Sequence, residues 1–288
     1  MKKIYSFPLF VLAFLIQTTL FADVVYVNVN ATGNNNGTSW ANAYTALQDA
    51  VDSAQDGDEV WVAAGVYLPT KDFNGDPNPA NPTHKRFLIQ KGLHIYGGFA
   101  GNETNITDRN HETNLTILSA DLDQNDLNDD GNNIAESYQD VMGNNSLRLV
   151  QIRDTGEDFL MDGFIITGGF TTGSGHGAGM VIQGIDEDTK ATVRNCHFYG
   201  HHAFRGGAMI IEGSVPNSGE AIIENCVFSG NIGTDRASAI YCVAWAGAAS
   251  MTVDRCIFEN NEGGLGTIFN HGGFEHETRV TNSIFRNN

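Results

Sequence analysis

Three sets of residues carry side chains that could do chemistry. The first is SADLDQNDLNDDGNN, residues 119–133, where Asp121, Asp123, Asn125, Asp126, Asn128, Asp129 and Asp130 fall within ten positions. Asp126-x-Asn128-x-Asp130-Gly131 has the early ligand spacing of a calcium loop, with oxygen donors on alternate residues ahead of a glycine turn. The pattern then breaks, because the twelfth position is Ser137 and the acid, Glu136, comes one residue early. Irregular calcium binding through Asp121, Asp123, Asp126, Asn128 and Asp130 and a solvated acidic loop both remain open, and no other cofactor is called for. The second set is His176, Arg205 and Arg236. Stacked along one face they could meet sugar carboxylates, and proton abstraction beside a carboxylate needs a base and a group that stabilises the developing charge. Their column ends in Leu265, with no acidic trio placed opposite it, so arginines pairing with nearby acids are the plainer reading. The third set is Cys196, Cys226 and Cys256. Carboxylate pairs such as Asp162 with Asp154 can be nominated in any chain this acidic and do not single out a glycosidase.

What must position these groups follows from composition and repeats. The 288 residues include 33 Gly and 6 Pro and are 41% hydrophobic, enough for a sizeable core. Sixteen Lys and Arg against 34 Asp and Glu give a formal charge of −18, which disfavours nucleic acid and anionic membranes and favours cations. Residues 1–22, with Lys2-Lys3, an apolar run from Phe7 to Ile16 and Ala22, read as a signal peptide too short to span a bilayer. The mature chain is then expected outside the cytoplasm, secreted or at the cell surface.

VRNCHFYGH, IENCVFSGN, VDRCIFENN and VTNSIFRNN place Cys196, Cys226, Cys256 and Ser283 in one column at spacings of 30, 30 and 27, with Gly163 of LMDGFIITG as an earlier member. A second column holds Met180, Met209, Ile240 and Ile268 at spacings of 29, 31 and 28. Two columns sharing a period near thirty indicate a solenoid or a propeller-like array. Inside each unit the apolar steps are i, i+3, i+5, as in Val193, Cys196 and Phe198. No helical face gives that, and an unbroken strand would give i, i+2, i+4. A corner at Arg194–Asn195 supplies the extra residue, Asn being tolerant of left-handed backbone angles. Each unit is then one coil of an all-β, right-handed parallel β-helix, about 4.8 Å from the next. The three cysteines become a stacked inward column that needs small residues. Reduced core thiols fit this best, and a disulfide between neighbouring coils stays open.

Upstream, SWANAYTALQDAVDSAQDGD carries Trp40, Ala43, Tyr44, Leu47, Ala50, Val51 and Ala54 on one helical stripe, with Ser39 as N-cap and Gly57 as stop. This amphipathic helix is expected to cover the open end of the first coil, because a bare end exposes core and strand edge. The organisation expected is a leader over 1–22, a strand-and-helix cap over 23–57 and a β-helix over 58–288, with loop insertions near 70–86 and 101–145.

At this point the sequence resembles a family. YVNVNATGNNNGTSWANAYTALQDAVDSAQDGDEVWVAAGVYLPT, then FLIQKGLHIYGGFAGNET, TILSADLD and MDGFIITGG, is similar to the opening of bacterial right-handed β-helix surface proteins common in the Bacteroidetes. Later units resemble the repeat of polymorphic outer membrane proteins, whose GGA(I/L/V) and FxxN motifs match GGAM (206–209), FSGN (228–231), FENN (258–261) and FRNN (285–288); FYGH (198–201) and ASAI (237–240) depart from them. The resemblance implies a pectin-lyase-like fold, export and a C-terminal sorting or anchoring segment, and no established activity. Stopping inside a repeat at Asn288, the sequence reads as truncated. Two functions compete: an adhesion or display module binding glycan or protein, and a polysaccharide lyase or glycoside hydrolase with a groove bordered by aromatics such as Phe170, Phe204 or Trp245.

Overall fold

Alternating apolar residues with a polar or left-handed residue at each bend make short strands that turn repeatedly in one direction. The computed structural model describes residues 22–245, 247–272 and 277–288. The leader lies outside them but for Ala22. Parallel strands stack into three sheets, each strand on its equivalent one coil away. The first sheet runs Val24–Val27, Glu59–Ala63, His94–Phe99, Gly156–Asp162, Thr189–Arg194, Gly219–Glu224, Ala249–Asp254 and Thr278–Thr281. The second runs Phe87–Ile89, Val150–Arg153, Met180–Gly184, Met209–Gly213, Ile240–Ala244 and Ile268–Gly272. The third runs Gly65–Tyr67, Thr116–Ser119, Ile165–Thr167, His197–Tyr199, Val227–Ser229, Ile257–Glu259 and Ile284–Arg286. A short ladder pairs His202–Arg205 with Ile232–Arg236. The architecture is the all-β parallel solenoid that the period of thirty requires.

Register matches both sequence columns. Met180 lies on Met209, Met209 on Ile240 and Ile240 on Ile268. Asn195, Asn225, Arg255 and Asn282 hold φ of 53°, 53°, 53° and 51°, and Gly163 holds 85°, so the corner expected at Arg194–Asn195 recurs in each coil. One step on, Phe198, Phe228, Phe258 and Phe285 stack with ring centroids 4.8, 4.8 and 4.7 Å apart. Beside them runs an asparagine ladder. Asn261 donates to the Phe228 carbonyl at 2.9 Å and to Asn288 Oδ1 at 2.8 Å, while its own Oδ1 accepts from Asn231 at 2.9 Å. Buried amides that satisfy one another lock coil to coil without an unpaired polar group.

The cap differs from the expectation of one long helix. Ser39 caps only the 3-10 turn Trp40–Asn42, and the α-helix is Leu47–Ser53, ending before Gly57. Tyr44 breaks the stripe: its N–H donates to Tyr26 O at 2.9 Å and its carbonyl accepts from Asn28 at 2.8 Å, so the residue pairs as extended chain. Trp40 consequently joins Tyr26, Trp61 and Phe99 in a separate cluster, whereas Leu47, Ala50 and Val51 pack on Val27, Val60, Val62, Phe87 and Ile89 in the main core. The stretch near 70–86 is closed by a bridge between Lys71 and Arg86, and the one near 101–145 is interrupted by Thr116–Ser119.

Candidate functional site

The second sheet has a sheltered outer face. Met180 and Ile182 point into the main core, so Val181 and Gln183 point out. Val181, Ile210 and Tyr241 nonetheless form a buried cluster, extended by Phe269. Segments leading into these strands lie over it. His176 pairs with Arg205, and Arg205 with Arg236, so the column read from sequence is present. The Arg205 guanidinium lies 5.0 Å from the Phe204 ring, 5.8 Å from Trp245 and 5.9 Å from Tyr241, and donates to Asp235 at 2.6 Å. Arg236 sits 5.5 Å from the Phe269 ring and 3.7 Å from the same carboxylate. The His176 ring is nearly parallel to Phe204, 6.4 Å away, and to Trp245, 6.1 Å away. Burial, with Arg205 next, holds the His176 imidazolium below its usual pKa, so the ring is neutral at pH 7.

Trp245, 46% exposed, presents its indole to solvent. Its Nε1 donates to Glu212 at 3.2 Å, and Gln183 donates to the other Glu212 oxygen at 2.7 Å. The chain of amides continues from Gln183 to Gln151 and to Arg86. Burial pushes the Glu212 carboxyl above its ordinary range, while Arg148, Trp245 and Gln183 pull it back. Phe204 and Trp245, two aromatics singled out from sequence, therefore meet on one ridge. Phe170 does not join them and stacks on His202 at 4.5 Å. Tyr241 and Glu212 were missed, although each stands in the outward register of its strand.

The five residues nominated for calcium do not converge. Asp130 turns to Asn132, and Asp123 accepts the Asn144 backbone and side-chain N–H groups. Asp121, Asp126 and Asn128 do line one cavity of 340 Å³, with Asp121 Oδ1 and Asn128 Oδ1 buried and without donors. Among the described residues no three His, Cys, Asp or Glu side chains group as metal ligands.

Other chemically suggestive groups are tied into the scaffold. Cys196, Cys226 and Cys256 are buried and free; the Cys226 N–H donates to Cys256 Sγ at 3.4 Å, and the Cys256 N–H to Ser283 Oγ at 3.1 Å. Asp162 is fully buried between Arg109 and Arg194, at 2.6 and 2.7 Å, and Asn195 donates to its other oxygen. Burial raises its pKa, and these donors outweigh that to leave it low. Asp154 accepts three successive backbone N–H groups, Ile185 to Glu187. Comparison with family models, curated proteins and solved structures returned no match, and among the described residues no helix is long and apolar enough to cross a membrane.

Proposed function

We propose that this chain is an exported or surface-attached bacterial β-helix of the kind its opening and repeats resemble, and that it binds an extracellular glycan on the ridge formed by His176, Phe204, Arg205, Arg236 and Trp245. The observation that carries this reading is the half-exposed Trp245 indole, held by Glu212 and flanked by the Arg205 guanidinium and the His176 ring. A sugar ring offers an apolar C–H face and a rim of hydroxyls; an indole face suits the first, fixed carboxylate and guanidinium groups the second. Binding of this kind needs no cofactor. It also suits a rigid solenoid, because anchors on neighbouring strands are set by coil spacing and lose little freedom on binding.

A lyase on the same column is the competing reading, since neutral His176 beside two arginines has the types of a base and a charge stabiliser. Against it, both arginines already face Asp235. The test is affinity electrophoresis of the full chain in gels containing neutral or uronate polysaccharides, with parallel assays for unsaturated products and reducing ends, with and without calcium. Retardation without turnover is expected in at least one polysaccharide, with Trp245→Ala weakening it by about tenfold or more. Turnover abolished by Arg205→Ala or Arg236→Ala would overturn the binding reading in favour of a lyase.

A further inference from the structure

The face that carries the ridge holds more basic residues than the column read from sequence. In the second sheet Phe87 pairs with Val150, Val150 with Met180, Met180 with Met209 and Met209 with Ile240. A basic residue stands just ahead of every one: Arg86, Arg148, His176, Arg205 and Arg236. The offset is one residue for Arg86, two for Arg148 and four for the others, so sequence spacing hides the first two members. Backbone bonds keep Arg148 in line, since the Leu147 N–H donates to Thr83 O and the Leu149 N–H to Ala178 O, both at 2.9 Å. Arg148 therefore stands between Arg86 and His176. Burial lowers the pKa of both, Arg205 lowers that of His176 next, and the Arg148 charge lowers each further.

Several of these groups are uncommitted. Arg205 is tied to Asp235 at 2.6 Å, but Arg236 is 3.7 Å from that carboxylate and its Nε is buried without an acceptor. Arg86 donates to His84 O at 3.1 Å and to Gln151 Oε1 at 2.9 Å. Arg148, partly exposed, donates to no described residue. Among the described residues no carboxylate forms an ion pair with Arg86 or Arg148. Glu212, which feels the Arg148 charge, already accepts from Trp245 and Gln183. A chain of net charge −18 thus reverses its sign locally, along a column about 19 Å long at about 4.8 Å per coil. Neighbouring guanidiniums without matching acids repel one another, and a bound anion relieves that repulsion.

A single small anion would engage one pair of neighbours and leave the rest. A polymer with acids at intervals meets the whole column, which follows the solenoid axis and has an exposed aromatic toward each end, Trp245 at 46% and Phe73 at 37%. Phe73 lies 5.9 Å from the Arg86 guanidinium. We propose that the ligand of this face is an acidic glycan, carrying carboxylate or sulfate ester groups, that lies along the axis from Trp245 to Phe73 and places its anions on Arg148 and Arg236. The inference rests on the ridge as a glycan site and adds to it the class of glycan and a second half of the footprint. Guanidinium forks suit both anions. A nucleic acid, charged at every unit, would meet the acidic remainder of the surface as well.

The experiment is to immobilise the full chain and pass over it polymers that share a backbone and differ in charge: alginate against carboxyl-reduced alginate, and dextran sulfate against dextran, with single-stranded DNA as a further polyanion. At least one acidic glycan is expected to bind about tenfold or more tightly than its neutral partner, and to be released as salt is raised. The responding pair tells carboxylate from sulfate ester. Arg148→Ala should weaken that binding by about tenfold or more, whereas Arg148→Lys, which keeps the charge, should retain most of it. Lys190→Ala, on the first sheet beside Glu220, should change nothing. Equal binding of acidic and neutral partners overturns the acidic class and leaves the glycan ridge standing. Binding that resists Arg148→Ala overturns the extended column, and DNA bound more tightly than either acidic glycan overturns the assignment to a glycan. Silence from both acidic glycans also overturns the inference; retardation by a neutral polysaccharide that Trp245→Ala weakens would then still support the ridge.

Discussion

Cys226 has the chemistry of a nucleophile and the surroundings of a methyl group. Burial first, then the neighbouring Cys196 and Cys256 thiols, pushes its own thiol well above the ordinary range, and Cys242, also buried, is pushed up to about 12. All four cysteines are buried, out of reach of a reagent, so they should resist labelling until denaturant is added, and rapid modification of Cys226 in the native state would contradict the stacked column. Cys226→Asp should lower stability by about 3 kcal/mol or more in chemical denaturation, since a buried unpaired carboxylate costs far more than a small cavity. His201 shows a different use of a titratable group. It occupies the ladder position held by Asn231 and Asn261 in later coils, accepting the Gly169 N–H at Nδ1 and donating from Nε2 to Ile166 O, at 2.9 and 3.0 Å. Burial pulls its pKa from 6.5 down to about 3. Unfolded chain therefore takes up a proton near pH 6.5 that folded chain refuses, and the stability this residue contributes above that pH is lost as pH falls toward 3. His201→Asn should flatten the decline in urea midpoint between about pH 7.5 and pH 4.5; an unchanged slope would mean that His201 protonates in place. Asp126 works in the opposite direction, because its raised pKa favours the folded state on acidification, so the comparison is between variant and parent.

At the scale of the strand and corner, the left-handed residue decides whether a coil can close. Asn225 and Arg255 share φ of 53°, and a β-branched side chain is strained there where Gly is not. Asn225→Val should cost about 1–2 kcal/mol, and Asn225→Gly should come close to the parent despite losing the bond from Arg255 Nε at 2.9 Å. These corners were readable in advance because an i, i+3, i+5 step followed by Asn has one economical explanation, repeated in coil after coil. The helix was only half readable. Ala43 and Tyr44 fit a helical stripe as well as any residue in it, and nothing local reveals that Tyr44 will pair with Tyr26. Leu47→Ala should cost about 2–4 kcal/mol, as a truncation in a packed core does, whereas Asp56→Ala, which takes away the 2.8 Å acceptor of the Gly92 N–H, should cost about 1 kcal/mol. The candidate sites divide in the same way. The His176, Arg205 and Arg236 column follows from the repeat, since each member precedes an aligned strand. Tyr241, Glu212 and the 340 Å³ cavity depend on which loops lie over an outward face, and sequence spacing carries no record of that.

Along the whole molecule the coils differ in what covers them. Val24–Val27 and the short helix close one end, while Val280, Ile284 and Phe285 of the last coil are 40, 53 and 47% exposed. Central strands such as Gly219–Glu224 have a neighbour on each side and a dry core beneath. Stability in a solenoid is close to a sum of each coil and its interfaces, so amide exchange in native conditions should be slowest across 189–259 and fastest across 278–288; uniform protection would argue against opening coil by coil. The same stacking gives the ridge its rigidity, since Phe204, Arg205, Tyr241 and Trp245 come from adjoining turns of one scaffold. The chain has three tryptophans, Trp40, Trp61 and Trp245, and only Trp245 stands on the ridge, which makes it a reporter for the proposed glycan site. The most direct measurement is to follow the three indole N–H resonances while titrating the full chain with an oligosaccharide cut from a polysaccharide that retards it. Trp245 should shift progressively and saturate while Trp40 and Trp61 stay still; a Trp245 resonance that does not move at saturating oligosaccharide would contradict the ridge as the binding surface.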